Sequence, residues 1–332
     1  MKILYSVQGT GNGHVSRARE IIPVLQEFGE LDVLISGTQA EVHLPVQPKY
    51  TLSGLGFVFG KNGGVDFLQT WKVFHFAQFF KNVRQLPVHD YDMVIHDFEP
   101  VTAWACKLKK KKCLTMSHQS AYFSEKVPVL KGFHWGKVIM NNYAPATHRV
   151  GFHFKKYDEH IYTPVIRSEI RKLIPTDEGF ITVYLPAYSD EFILGQVQRH
   201  PKIRWQIFSK KTKTAYAKGN AEVFPIDHDA FTASIGKCTG VLTGGGFEGP
   251  AEALFLGKKL IVVPMINQYE QQCNALALEE MGIPVIWHQR EFSEKLAEWI
   301  DSGQRLMVNY PDETRLILEK VVKNNFFNFN KI

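Results

Sequence analysis

The sequence predicts an α/β protein made of two doubly wound parallel sheets that face each other across a cleft. Three observations carry this prediction. Strand-like apolar runs alternate with helical patterns in both halves of the chain, each half opens a helix directly after a glycine-rich turn, and the alternation breaks once, around residues 154–178. Alternation at this spacing means parallel strands joined by crossover helices. A length of 332 residues suits two domains.

The elements follow in order. Residues 2–7 read as a strand and 14–28 as an amphipathic helix. A strand at 31–36 precedes a long helix at 67–86, rich in aromatics. Strands at 91–96 and 112–116 flank a helix over 100–109. Charged residues then cluster, and Pro164 and Pro175 interrupt the pattern. Strands resume at 180–185, 204–208, 238–242 and 260–263. Helices are expected at 191–199, 229–235, 249–256, 270–281, 290–302 and 311–324. The chain divides accordingly into a first domain at 1–154, a linker at 155–178 and a second domain at 179–310. Residues 311–332 form a C-terminal helix placed to pack back on the first domain.

Composition narrows the class. An apolar content of 45% is ample for globular cores, and 22% charged is ordinary. The net charge of +6 suits an anionic substrate or an anionic membrane surface. No nucleic-acid-binding motif accompanies it. The cysteines at 106, 113, 238 and 273 form no CxxC pair, which argues against a zinc ribbon or a disulfide framework and fits a reducing compartment. The first apolar run is too short for a signal peptide, and no run nears the roughly 18 apolar residues that span a bilayer. A cytoplasmic protein is expected, either free or peripheral on the inner membrane face.

The most informative stretch is Thr243-Gly244-Gly245-Gly246-Phe247-Glu248-Gly249-Pro250-Ala251-Glu252. It joins a buried strand to a helix. Such a turn exposes backbone N–H groups, and the helix N-terminus adds its positive dipole end, so together they suit phosphate. Glu252, one turn into the helix, can accept hydrogen bonds from sugar hydroxyls. Phosphate beside sugar points to a nucleotide or nucleotide-sugar. A plain tight turn is the competing reading of the three glycines.

A second loop, Gln8-Gly9-Thr10-Gly11-Asn12-Gly13-His14, follows the first strand. It fails the dinucleotide fingerprint, because the third glycine position is His14, and no Walker pattern is present. His14 in the first turn of a helix is expected to be kept neutral by the dipole, which suits a general base, and a histidine that merely caps or packs is the competing reading. Asp97, beyond the strand that ends at His96, is a candidate partner for the imidazole. Capping of the following helix is the equal alternative for Asp97.

These residues resemble the inverting glycosyltransferases of the GT-B fold, two Rossmann-like domains across a cleft. The chain is similar to the plant and macrolide UDP-glycosyltransferases and to the lipid-linked N-acetylglucosaminyltransferase of peptidoglycan synthesis. Gly13-His14-Val15 resembles the family's Gly-His-Val, whose histidine deprotonates the acceptor, and the family's proline two residues on is here Arg17. The order Gly244–Gly246, Glu252, Gly257, Val263-Pro264, Glu270-Gln271, Asn274-Ala275 resembles the family's donor site.

The resemblance implies a first domain for the acceptor and a second for a nucleotide-sugar donor, with a UDP-sugar expected. It assigns His14 as base and Asp97 as its partner, and Glu252 to the ribose. Glu270 and Gln271 are assigned to the donor hexose, and Gly244, Gly245 and Gly246 to the diphosphate. Gly9, Gly11 and Gly13 form the acceptor-side loop. No cofactor or metal is expected, since the glycine turn and its helix end can stabilise the leaving diphosphate. Two departures stand out: the family's pyrophosphate-binding histidine is Gly244, and its small polar residue is Glu248. Glu248 must point away, pair with a basic residue, or contact the sugar. Aromatics Phe67, Trp71, Phe74, Phe76, Phe79 and Phe80 read as core or as an apolar acceptor surface. The run 107–112 reads as a solvated helix end or as a membrane contact, which would suit a lipid-linked acceptor. Two rivals remain: a nucleotide-sugar 2-epimerase and a non-catalytic nucleotide-sugar-binding subunit.

Overall fold

The computed structural model describes residues 1–37, 44–54 and 76–323. The first sheet contains β1 (Lys2–Gln8), β2 (Glu30–Ser36), β3 (Tyr50–Leu52), β4 (Met93–Asp97), β5 (Leu114–Ser117), β6 (His148–Phe152) and β7 (Ile161–Tyr162). Their spatial order is β3-β2-β1-β4-β5-β6-β7, and every pairing is parallel. The second sheet contains β8 (Phe180–Tyr184), β9 (Arg204–Ser209), β10 (Tyr216–Lys218), β11 (Ala221–Pro225), β12 (Gly240–Gly244) and β13 (Lys259–Val263). Its order is β10-β11-β9-β8-β12-β13, parallel except where β10 meets β11. The two doubly wound α/β sheets are thus as the sequence predicts, with one antiparallel edge added.

The strand order positions the site. Open sheets of this kind bind ligands beyond the carboxyl ends of the strands where the winding direction reverses. In the first sheet the reversal lies between β1 and β4, and in the second between β8 and β12. The carboxyl ends of these strands deliver the candidate residues: the turn after β1 leads into the helix that carries His14, β4 ends on Asp97, and β12 ends on Gly244, the first of the triple glycine.

Five strands escape the sequence pattern: β3, β6, β7, β10 and β11. They are short or polar. β10 is exposed along its whole length, and β7 has two residues, so neither offers an apolar run to detect. Within residues 155–178 the chain adds β7 to the first sheet and a short helix, Ser168–Arg171. The aromatic helix expected at 67–86 is described only as Phe76–Gln85. Phe67, Trp71 and Phe74 lie outside the described residues. Phe79 is buried, whereas Phe76 and Phe80 are exposed.

The helix Asn12–Gln26 forms because Val15, Ala18, Ile21, Ile22 and Leu25 recur at helical spacing and bury one face. Against it lies the helix Thr314–Lys323, whose Ile317, Leu318 and Val321 join the same core. Arg315 donates to both carboxylate oxygens of Glu27 there. That core continues into the second domain through Phe247, Ala251 and Leu254, so the two sheets share one apolar cluster. Part of the lysine run serves the interior: Lys109 Nζ donates to the Leu86 carbonyl and Lys111 Nζ to that of Tyr91, each at 2.6 Å. Among the described residues no helix is long and apolar enough to cross a membrane.

Candidate functional site

The loop after β1 is shaped by its glycines. Gly11 has φ +123°, a conformation that L side chains rarely adopt, and it starts the helix Asn12–Gln26 with no side-chain cap. Gly9 donates its N–H to the Ser36 carbonyl at 2.6 Å, and a Cβ there would press against β2. These constraints set His14 in the helix's first turn, beside the end of β4.

His14 Nδ1 lies 2.8 Å from Asp97 Oδ1. A carboxylate can only accept, so Nδ1 carries the hydrogen, and in the neutral ring the lone pair is on Nε2. Asp97 does not cap the following helix. That cap is Glu99, whose carboxylate accepts from Val101 and Thr102 N–H. Between them Phe98 has φ +53°, a strained left-handed turn that separates the two carboxylates.

Arg17, one turn beyond His14, completes the cluster. Its Nε and Nη2 each reach an Asp97 oxygen at 2.8 Å, and its Nη1 reaches Glu248 Oε1 at 2.6 Å. Arg17 and Asp97 are 2% and 0% exposed, so both charges are desolvated and must be paired. Burial opposes ionisation of Asp97, but Arg17 and then His14 outweigh it and hold the carboxyl at about 2. Of the three options for Glu248, pairing with a basic residue is the one realised. The carboxylate seats so closely over the first domain that a Cβ on Gly13 would lie 2.5 Å from its Oε2.

The second domain contributes more. Its Glu270 accepts at Oε2 from Gln119 of the first domain, two residues after β5, at 3.1 Å, and Gln119 Nε2 stands 3.5 Å from His14 Nε2. Burial raises the pKa of Glu270, with His14 opposing. The side chain of Gln271 is held by Met265, whose N–H it accepts at 3.0 Å. Gly245 is required by packing, since a Cβ there would lie 2.7 Å from the Gln271 carbonyl. A Cβ on Gly246 would meet nothing within 4 Å. The helix Glu248–Phe255 that follows has no side-chain cap at its N-terminus.

Glu252 belongs to a different network. It is buried, and Arg167 binds it bidentately, Nε to Oε1 at 2.5 Å and Nη2 to Oε2 at 2.8 Å. Burial raises its pKa and Arg167 opposes the rise. Arg167 Nη1 also donates to Glu169 Oε1 at 2.7 Å, and His228 Nε2 contacts the same oxygen at 2.5 Å. A sugar hydroxyl at Glu252 would therefore share the carboxylate with Arg167.

The structure thus brings His14, Asp97, Glu248 and Glu270 into one chain of contacts, and leaves Glu252 with Arg167. Sequence reasoning missed the roles of Arg17, Gln119, Arg167 and His118. Only Arg17 carries a local signal, its position three residues after His14 on one helix face. His118 stacks on Phe247 with centroids 3.8 Å apart and contacts Asn274 Oδ1 at 2.7 Å, tying the domains together. Burial lowers its pKa to about 3, so it stays neutral. Two Asp-x-Asp tripeptides are committed elsewhere: Asp92 accepts the Lys2 N–H, and Asp227 caps the helix His228–Lys237. Among the described residues, no group of three or more histidine, cysteine or acidic side chains is arranged to hold a metal ion.

A family model described as glycosyl transferase family 1 matches residues 1–301. No curated protein sequence matches the chain. Among solved structures, a UDP-glucosyltransferase of Polygonum tinctorium is 13% identical with a TM-score of 0.57, covering 99% of this chain and 95% of that one. MurG of Acinetobacter baumannii is 13% identical with a TM-score of 0.54 over 100% and 99%. Arabidopsis thaliana UGT89C1 complexed with UDP is 12% identical with a TM-score of 0.56 over 98% and 94%. Identities this low establish the fold, which is GT-B.

Two outcomes follow from these charges. Asp97 has a folded-state pKa near 2, below the ordinary 3.8, so its contribution to stability is present above about pH 4 and is lost as pH falls toward 2. The lost amount is about 2 kcal/mol, and urea unfolding against pH should show that segment flattened in Asp97→Asn. Glu252→Ala should cost about 3 kcal/mol in the same assay, because it removes the bidentate partner of the buried Arg167 and leaves the guanidinium only Glu169. A loss below about 1 kcal/mol would mean that Glu169 or water compensates the guanidinium.

Proposed function

Because the chain belongs to glycosyl transferase family 1, we propose that it moves a hexose from a nucleoside-diphosphate sugar, a UDP-sugar, to an acceptor hydroxyl with inversion at the anomeric carbon. The observation that carries this reading is His14. Its Nδ1 is bonded to an ionised Asp97, and its Nε2, 3.5 Å from Gln119 Nε2, lies near the reversal point of the first sheet. UDP is favoured because similar folds include a UDP-glucosyltransferase and an enzyme complexed with UDP.

The geometry supports the following reaction. His14 Nε2 takes the proton of the acceptor hydroxyl as its oxygen attacks the anomeric carbon. The bond to the diphosphate oxygen breaks on the opposite face, and the electron pair leaves with the diphosphate. Asp97 holds the tautomer and stabilises the imidazolium. The leaving group meets the uncapped N-terminus of Glu248–Phe255, where backbone N–H groups and the helix dipole favour negative charge. Glu270 is read as a hexose contact and Glu252 as a ribose contact, through the oxygen lone pairs that Arg167 leaves open. Gln271 is aimed at Met265, so its side chain must turn to reach a sugar.

His14→Ala should lower turnover about 10²–10⁴-fold, while UDP binding by calorimetry changes little. Near-normal turnover with a verified acceptor would place the base elsewhere. The reaction is proposed to need no divalent metal, since the helix N-terminus supplies the positive potential. EDTA should leave the rate intact, and a loss restored by magnesium or manganese would overturn that part of the mechanism.

A further inference from the structure

The family resemblance leaves Arg17 and Glu248 unexplained, and the structure pairs them. Glu248 opens the helix of the second domain, while Arg17 belongs to the first-domain helix that carries His14. The pair therefore crosses the cleft. Its carboxylate is 28% exposed and its guanidinium 2%. Gly13 is the residue that lets the carboxylate in, since any side chain there would collide with it.

The charges explain why the pair matters. Arg17 and His14 both lean on the single carboxylate of Asp97, and Arg17 Nη2 stands 3.1 Å from His14 Nδ1. When His14 takes a proton, two positive charges face one negative charge. Seating Glu248 on the far side of Arg17 adds a second negative charge and brings the cluster to neutrality. Without Glu248 the imidazolium would form beside an incompletely compensated guanidinium.

We propose that Arg17 and Glu248 are positioning residues that make the basicity of His14 depend on the second domain being closed over the first. With the cleft closed, Glu248 offsets the charge of Arg17 and the imidazolium is stabilised. With it open, Arg17 opposes protonation and the base is weak. Proton removal from the acceptor is thereby favoured only when the donor-side helix is in place. This inference rests on the reading of His14 as the base.

The groups facing His14 are Asp97 from β4, Arg17 from its own helix, Glu248 and Glu270 from two helices of the second domain, and His118 from the segment after β5. A test changes one charge and keeps the rest. The imidazole of His14 is titrated by NMR in the full-length chain with no substrate added, and the acid limb of kcat/KM is recorded in parallel. Glu248→Gln keeps shape and hydrogen bonding but removes the charge, and should move the His14 titration down by about half a unit. Arg17→Met should move it up by about one unit or more. Arg17→Lys keeps a positive charge and should restore most of the original value.

Opposite shifts from the two variants establish the charge relay, because loss of packing alone would not reverse sign between them. Equal shifts, or none with Glu248→Gln, would overturn it. If Arg17→Met does not fold, Glu248→Gln against wild type still decides. Opposite NMR shifts in a chain that transfers no sugar would keep the relay and discard the transferase reading. Transfer without those shifts would do the reverse.

Discussion

The buried guanidinium of Arg17 is the constraint around which the cleft is organised. A fully desolvated charge is costly unless carboxylates satisfy it. One partner comes from the end of β4 and the other from the second domain, so the helix after β1, the first-sheet crevice and the donor-side helix must meet at one point. Two local features accompany that meeting. The carboxylate of Glu248 occupies the space that a side chain on Gly13 would take, and Phe98 takes a left-handed turn between Asp97, which faces inward, and Glu99, which caps the next helix.

A second buried arginine repeats the device at a different seam. Arg167, from the segment between the sheets, holds Glu252 with two bonds and Glu169 with a third. Buried ion pairs stabilise poorly compared with apolar packing, but they tolerate little displacement once made. Their placement at the seams of the fold fits a role in orientation. The neutral contact between His118 and Asn274 complements them. With its pKa pushed to about 3 by burial, His118 holds the interface without titrating in the range where a histidine base would work.

Much of this was legible from the chain alone, for identifiable reasons. Long apolar strands beside glycine turns announced β1, β12 and β13, and their loops carry His14 and the triple glycine. The short edge strands were invisible because β10 buries nothing. The choice between partner and cap for Asp97 was open in the sequence, since an acidic residue before a proline-led helix suits both. It closed only when Glu99 was seen to occupy the cap. Arg167 and Gln119 could not be anticipated. Their partners stand 85 and 151 residues away, and pairing at that separation depends on the tertiary fold.

The electrostatics of the second glycine turn close the argument. A glutamate in the first turn of a helix meant to hold a diphosphate looks self-defeating, because two anions would compete for one dipole. Arg17 removes the conflict by drawing the Glu248 side chain across the cleft. The carboxylate then sits at the positive end of its own helix and against a guanidinium, so its charge is doubly compensated. The backbone N–H groups of that helix have no side-chain cap, which leaves them as donors for a leaving group. The residue that departs most from the family pattern is thus compatible with the family's chemistry because a second departure, Arg17 in place of a proline, accompanies it.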